Sequence, residues 1–276
     1  MKEDSGARLQ RGIQSIEVGG QLLLALVHHG RPMTLTDLAR DADMVPAKAH
    51  PYMVSFGRLG LIEQDPVSGR YMLGPLSVQL GLIGLQQNNP VQLASTLIDG
   101  LALRTGQTIA IAVWGDRGAT IVRLAESPAA VHVVMRHGTV FSLSSTASGR
   151  LFGAYRNAGE VKSLLEKERM RLRQKKSDEP QPAAGMPLAA PLPSWRAFEI
   201  ELDEVRRHGL SRSEGEVVTG VNALSAPVFD HTGQIVLAIT AIGAAGVFDS
   251  SWDGRLAMAV KACAHQISQR LGAPTN

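Results

Sequence analysis

Four cations stand where they can meet a polyanion: Lys48, His50 and Arg58 in one short stretch, and Arg70 beside the turn that follows it. Ammonium and guanidinium groups contact phosphates, and Lys, His, Arg and the neighbouring Tyr52 can also reach base edges. A second stretch, SLSSTASG from Ser142 to Gly149, places hydroxyls ahead of an apolar helical pattern. Free backbone N–H groups at Thr146, Ala147, Ser148 and Gly149 would hold a carboxylate. The same residues equally make a well-capped helix with no ligand. Other chemistry finds less support. Thr146 to Arg150 lacks the glycine and strand lead-in of a nucleophile elbow. His132, His137, His208, His231 and His265 have no metal-ligand spacing, and His28 and His29 suit a helix carboxyl end. No glycine-rich phosphate loop is present, so no catalytic residue, metal or cofactor is expected. A catalytic pair assembled from distant segments would leave no trace in spacing.

The cations must be carried by something rigid. Over 33–73 the pattern predicts two short helices, a strand, a tight turn and a second strand. Thr34 or Thr36 caps the first helix, whose apolar face is Leu35, Leu38, Ala39 and Ala42. Asp43 falls in the turn. Ala49, Tyr52, Met53, Phe56 and Leu59 recur at helical spacing and Gly60 ends the run. Strands over 61–63 and 71–73 flank Asp65-Pro66-Val67-Ser68-Gly69-Arg70, which has turn chemistry. That order forms a winged helix-turn-helix, which sets its second helix in the DNA major groove. A small helical subdomain with a hairpin and no DNA role is the alternative.

Ahead of it, 15–29 reads as a supporting helix. After it, 75–87 reads as a linker helix, serving either as a dimer seam or as packing on its own domain; a half-site reader works as a symmetric pair. A helix over 91–104 precedes strands over 108–114, 119–125 and 131–136. Helices follow over 146–157 and 160–176, then a proline-rich loop over 177–194. A helix over 195–208, strands over 210–213, 222–229 and 234–242, and a helix over 252–271 complete an α+β domain with a largely antiparallel sheet. The basic run ERMRLRQKK suits a solvated helix face.

Composition narrows the class. The 276 residues are 44% hydrophobic and 19% charged with a net charge of +3, as in a globular protein of one large or two moderate domains. The amino-terminal MKEDSGARLQRG is polar, so neither signal peptide nor anchor is expected, and no window suits a membrane span. The lone Cys263 excludes an internal disulfide and fits a reducing cytoplasm, where it serves as packing. Residues 1–75 hold eight basic and eight acidic side chains. DNA binding therefore requires charges sorted by face, with Asp37, Asp41 and Asp43 turned away and Arg11, Lys48, Arg58 and Arg70 toward the duplex.

LTDLARDADM, the Gly60-Leu61-Ile62-Glu63 exit and DPVSGRYMLGP resemble the DNA-binding half of the IclR family of bacterial transcription regulators. The resemblance extends over nearly all of the chain and implies a GAF-like effector-binding domain joined to the reader by a linker helix. The expected domains are 12–74, 75–89 and 90–272. It also implies a small organic acid effector at the TAxGR-type loop and the facing strands. There the family's acidic residue falls on Ser213, its cysteine on Ala223, and two serines on Thr240 and Ile242. These exchanges imply a more apolar site, suited to a carboxylic acid with an aromatic or alkyl body. An arginine common in the family's reading helix falls on Pro51. Proline there predicts that regular helix starts late, near Lys48 or Ala49, or kinks at Pro51, passing base reading to Lys48, His50 and Tyr52. The expected partners are double-stranded operator DNA, the acid, and further copies as a homodimer or homotetramer, with no membrane. A carboxyl-terminal domain that only oligomerises, or an enzyme of small acids, are the competing readings.

Overall fold

A computed structural model describes residues 12–116, 118–126, 138, 141–178 and 192–274. The strand expected over 131–136, most of the proline-rich stretch, Arg11, His132 and His137 lie outside the described residues. The chain divides into two compact units, one ending at Gln87 and the other starting at Asn88.

In the first unit, α1 (Gln14–His29), α2 (Leu35–Asp41) and α3 (Pro46–Leu59) precede β1 (Ile62–Gln64) and β2 (Tyr71–Leu73), and α4 (Pro75–Gln87) follows. Leu22, Leu26, Leu38, Ala49, Met53 and Ile62 meet in one core. The Thr34 hydroxyl accepts from the Asp37 amide at 3.2 Å and fixes the start of α2; Thr36 lies inside the helix. Asp43 turns the chain with φ 51°, a left-handed conformation that Asp tolerates better than most side chains. β1 and β2 pair antiparallel, Ile62 opposite Leu73. Met33 extends the hairpin by exchanging backbone hydrogen bonds with Tyr71, at 2.9 and 2.8 Å.

The reading helix starts earlier than the sequence predicts. α3 begins at Pro46, with Val45 as its cap, and runs through Pro51. A proline at the first helical position loses an amide that has no helical partner there, and its φ is already helical. Past Pro51 the helix is held from outside, because Ala49 and Met53 on either side of it are buried in the core. No residue of α4 is buried, and Val78, Leu80, Leu82 and Ile83 are each more than half exposed.

The second unit runs α5 (Pro90–Thr105), β3 (Thr108–Gly115), β4 (Gly118–Ala125), α6 (Ala147–Tyr155), α7 (Ala158–Asp178), α8 (Trp195–His208), β5 (Ser211–Glu214), β6 (Val221–Phe229), β7 (Ile235–Ala244) and α9 (Arg255–Arg270). The strands form one sheet in the order β4-β3-β7-β6-β5, every neighbouring pair antiparallel. Ile98, Leu101, Val260 and Ile267 of α5 and α9 pack on Ile109, Ile111, Leu224 and Ile239. Leu151 and Phe152 of α6 and Phe198 and Leu202 of α8 pack with Ala112, Ala119 and Ala238 on the opposite face. The sheet is thus covered on both faces, and α6 is buried along nearly its whole length. No helix among the described residues is long and apolar enough to cross a membrane.

Candidate functional site

Lys48, His50 and Arg58 are all exposed on α3. At about 100° per residue, Arg58 projects away from the buried Ala49 and Met53, with Lys48 and His50 to either side. Tyr52 is placed otherwise. Its ring is half-buried against α1, so close that a Cβ on Gly19 would come within 2.8 Å of it. It belongs to the packing of α1 on α3, as its helical spacing already indicated. Arg70 is exposed at the wing, with its guanidinium 3.3 Å from the Pro32 carbonyl. The wing turn is fixed by Asp65, which accepts from the Ser68 hydroxyl and from the Val67 amide at 3.0 Å. The Ser68 hydroxyl, then the amides, hold the Asp65 carboxyl below the usual carboxylate range.

The acidic residues of α2 are already engaged. Asp37 takes a hydrogen bond from the Thr34 hydroxyl at 2.8 Å and an ion pair from Arg40 at 2.9 Å. Thr34 first, with Arg40 and against partial burial, lowers its carboxyl below the ordinary value. Asp41 pairs with His29 at 2.8 Å and Arg40 at 3.4 Å. Lys48, Arg58 and Arg70 have no carboxylate within ion-pair distance among the described residues. Net neutrality therefore hides two cations, Lys48 and Arg58, without a charged partner among the described residues, while Arg70 donates to the Pro32 carbonyl and acts on Asp37 from beyond ion-pair distance.

In the second unit, the start of α6 is closed by its own hydrogen bonds. Thr146 Oγ1 accepts from the Gly149 amide at 2.9 Å and donates to the Ser142 carbonyl at 2.7 Å. Ala147, Ser148 and Gly149 are buried beneath it. Ser148 Oγ lies 2.8 Å from Thr240 Oγ1, which lies 2.8 Å from Ser225 Oγ. The pairing register aligns Ser213, Ala223 and Ile242 in one row across the sheet, and Ser211, Ser225 and Thr240 in the next. Ser213 Oγ donates to the Ser145 carbonyl at 3.2 Å. The expected pocket residues on the strands are thus brought together on one sheet face.

The large cavity of this unit, about 880 Å³, opens beside them instead of among them. Ser142, Ser144, Ser145 and Arg150 wall it from the segment around the start of α6, whereas Thr146 to Gly149, Ser213, Ala223, Thr240 and Ile242 do not. Its wall carries five glutamates and two arginines. Ala223 and Ile242 are the apolar members of the strand row, while the cavity's own apolar surface comes from Leu172, Val205, Val217 and Trp252. Charges enter from α7, α8 and the β5–β6 connection, which a comparison of strand positions does not include.

Arg150 organises the wall. Only 8% exposed, it donates from Nη1 to the Ser144 carbonyl at 2.8 Å and to Glu216 at 2.5 Å, and from Nη2 to the Arg212 carbonyl. Glu201 stands 3.9 Å away. Burial pushes the Glu201 carboxyl above its ordinary value against the pull of Arg150, with Glu216 and Glu204 raising it further. The proton on Glu201 then stabilises the fold fully below the unfolded value, and this is lost as pH rises through the folded one. Glu201→Gln is therefore expected to raise Tm at pH 7 by about 1–3 °C. Melts across pH should show that gain shrinking in acid; a lower Tm at neutral pH contradicts the account.

Two further residues of the cavity wall stand out. Ser211 Oγ is wholly buried with no hydrogen-bond partner, and buried hydroxyls are rarely left so. The Arg212 guanidinium lies 4.4 Å from the centre of the Trp252 ring, which stacks on His208 at 4.2 Å. Arg212 has no carboxylate within ion-pair distance among the described residues. Arg150, Glu201, Ser211, Arg212 and Glu216 are absent from the sequence-derived site. The sole signal was Arg150 itself, closing the TASGR run. No described group of three His, Cys, Asp or Glu could hold a metal ion.

Comparison with known proteins gives a consistent picture. Residues 15–66 match the IclR helix-turn-helix domain. Residues 84–177 and 191–269 match the bacterial transcriptional regulator IclR C-terminal domain. The glycerol operon regulatory protein of Streptomyces griseus is 30% identical over 270 residues, covering 96% of this chain and 99% of that protein. Its counterpart in Streptomyces coelicolor is 28% identical over 267 residues, with 96% and 99% covered. The crystal structure of Pseudomonas aeruginosa HmgR superimposes with a TM-score of 0.80 at 30% identity, covering 96% of this chain and 100% of that one.

Proposed function

This chain belongs to the IclR family of bacterial transcription regulators and is a DNA-binding regulator, and on that premise we propose that a small organic acid sets its affinity for operator DNA. Residues 12–74 read the DNA, 75–89 link, and 90–272 hold the effector. Lys48, His50, Arg58 and Arg70 supply the contacts to phosphates and bases; their exposure without carboxylate partners supports that role. Two copies read a two-fold operator, with the uncovered apolar residues of α4 as their seam. Such a regulator works beside the chromosome, in the cytoplasm.

The observation that carries the effector is the cavity itself, about 880 Å³, whose wall brings two arginines together with apolar side chains. A carboxylate finds the guanidinium groups of Arg150 and Arg212 on this wall, and an aromatic or alkyl body finds Trp252, Val205 and Leu172. The apolar row of Ser213, Ala223 and Ile242 behind it, and the α6 start at Thr146 to Gly149, shape the back of the site. Binding one state of the paired readers better than the other shifts operator affinity by the difference.

The test selects an operator from random DNA and measures its anisotropy with aliphatic acids, aromatic acids and glycerol. An acid with an apolar body should change operator Kd at least about 5-fold. Preference for the smallest polar acids rejects the apolar body. A response to glycerol alone, the compound in the Streptomyces relatives' names, rejects the acid. No response to any of them leaves a domain that only oligomerises.

A further inference from the structure

We infer that the Arg150 guanidinium is the carboxylate subsite of the cavity and that Glu216 occupies it in place of a ligand. The inference rests on reading the cavity as the effector site.

A guanidinium as deeply buried as Arg150 must have partners, and its partners here are of two kinds. The carbonyls of Ser144 and Arg212 belong to the fixed backbone around α6 and β5. They supply acceptor atoms but no charge. The nearer compensating charge is Glu216, whose own side chain is 42% exposed, with Glu201 further off at 3.9 Å. Residues 216–220 around it are exposed, Val217 and Val218 by more than half. Arg150 and Glu216 both wall the cavity, as does the unpartnered Ser211. A ligand carboxylate entering there can accept from Nη1 as Glu216 does, while Glu216 moves into water.

The exchange replaces one negative charge by one, so the buried guanidinium never goes uncompensated. That balance selects a monocarboxylate. A doubly charged phosphate would bring excess charge beside Glu201, which is already held above its ordinary pKa in this wall. A tethered competitor such as Glu216 acts at an effective concentration on the order of millimolar, so weak acids are excluded until they exceed it. Glu216 is then a specificity device as well as a surrogate: only acids whose bodies gain enough from the rest of the cavity displace it. Displacement also frees residues 216–220 from their side-chain tie to α6.

Chemical complementation tests this in the full chain. Glu216→Ala should lower Tm by about 5 °C, because a buried charge loses its partner. Sodium acetate at about 50 mM should restore most of that loss by supplying the missing carboxylate, with sodium chloride and phosphate at equal ionic strength having little effect. Wild type should respond less than the alanine variant, because Glu216 competes for the same place, and Glu216→Gln, whose amide fills it, should also respond less. Equal responses to acetate in wild type and Glu216→Ala, no acetate response in either, or equal rescue by chloride or phosphate would each overturn the subsite. None of these results touches the effector reading, which stands or falls on ligand-dependent operator binding.

Discussion

Replacing Gly149 with alanine should cost about 3 kcal/mol of stability, a Tm loss of about 6–12 °C. Gly149 is the third residue of α6. A Cβ there would stand 2.6 Å from the Leu143 carbonyl oxygen and 2.8 Å from its Cα, and against the Ser142 carbonyl. These are backbone atoms, so no rotamer relieves the clash. The backbone cannot yield cheaply either: the Ser142 carbonyl is held by Thr146, and Leu143 is buried, with its amide donating to Glu168 at 3.1 Å. Any shift also disturbs the Ser144 carbonyl on which Arg150 depends. Gly20→Ala is the control, because a Cβ on that helical glycine meets nothing within 4 Å and alanine favours helix by about 1 kcal/mol. Denaturant melts decide it: Gly149→Ala as stable as wild type would mean the close approach carries no energy.

The second large effect is on DNA. Lys48→Ala combined with Arg70→Ala should weaken operator binding about 10- to 100-fold near physiological salt, and lower the salt slope by about one unit per lost phosphate contact. Both side chains are exposed, so Tm should hold within about 2 °C. Binding isotherms across a salt series separate the outcomes. Unchanged affinity and slope would move the DNA face elsewhere on the unit. Lost binding together with lost folding would reassign both residues to structure.

Legibility followed range. The winged helix-turn-helix was readable because each signal is local: Thr34 caps α2 three residues from its donor, Gly60 ends α3, and Asp65 orders a turn within its own hairpin. The start of α3 was misjudged because helix propensity was weighed at Pro51 without the burial of Ala49 and Met53 that holds both flanks. Tyr52 carries two signals, apolar spacing and a phenol that can read bases, and packing against Gly19 uses the first. Strand pairing places Ser213, Ala223, Thr240 and Ile242 on one sheet face. The charged wall was not legible. Arg150 and Glu216 stand 66 residues apart, and nothing in either neighbourhood points to the other. Ser211 looks like any strand serine until the fold leaves its hydroxyl without a partner.

The buried row of Ser148, Thr240 and Ser225 bears on how this sequence can change. Thr240 carries one hydroxyl proton between two serine neighbours, so it donates to at most one of them. Thr240→Val alone takes an accepting or donating partner from both serines in a dry interior, where each unmatched hydroxyl costs about 1–3 kcal/mol. Exchanging all three for apolar residues of similar size leaves nothing unmatched and can be nearly neutral. The three positions thus form one heritable unit spread over α6, β6 and β7: substitutions that fail singly are tolerated as a set, and the path between the two tolerated states crosses a valley of less stable intermediates.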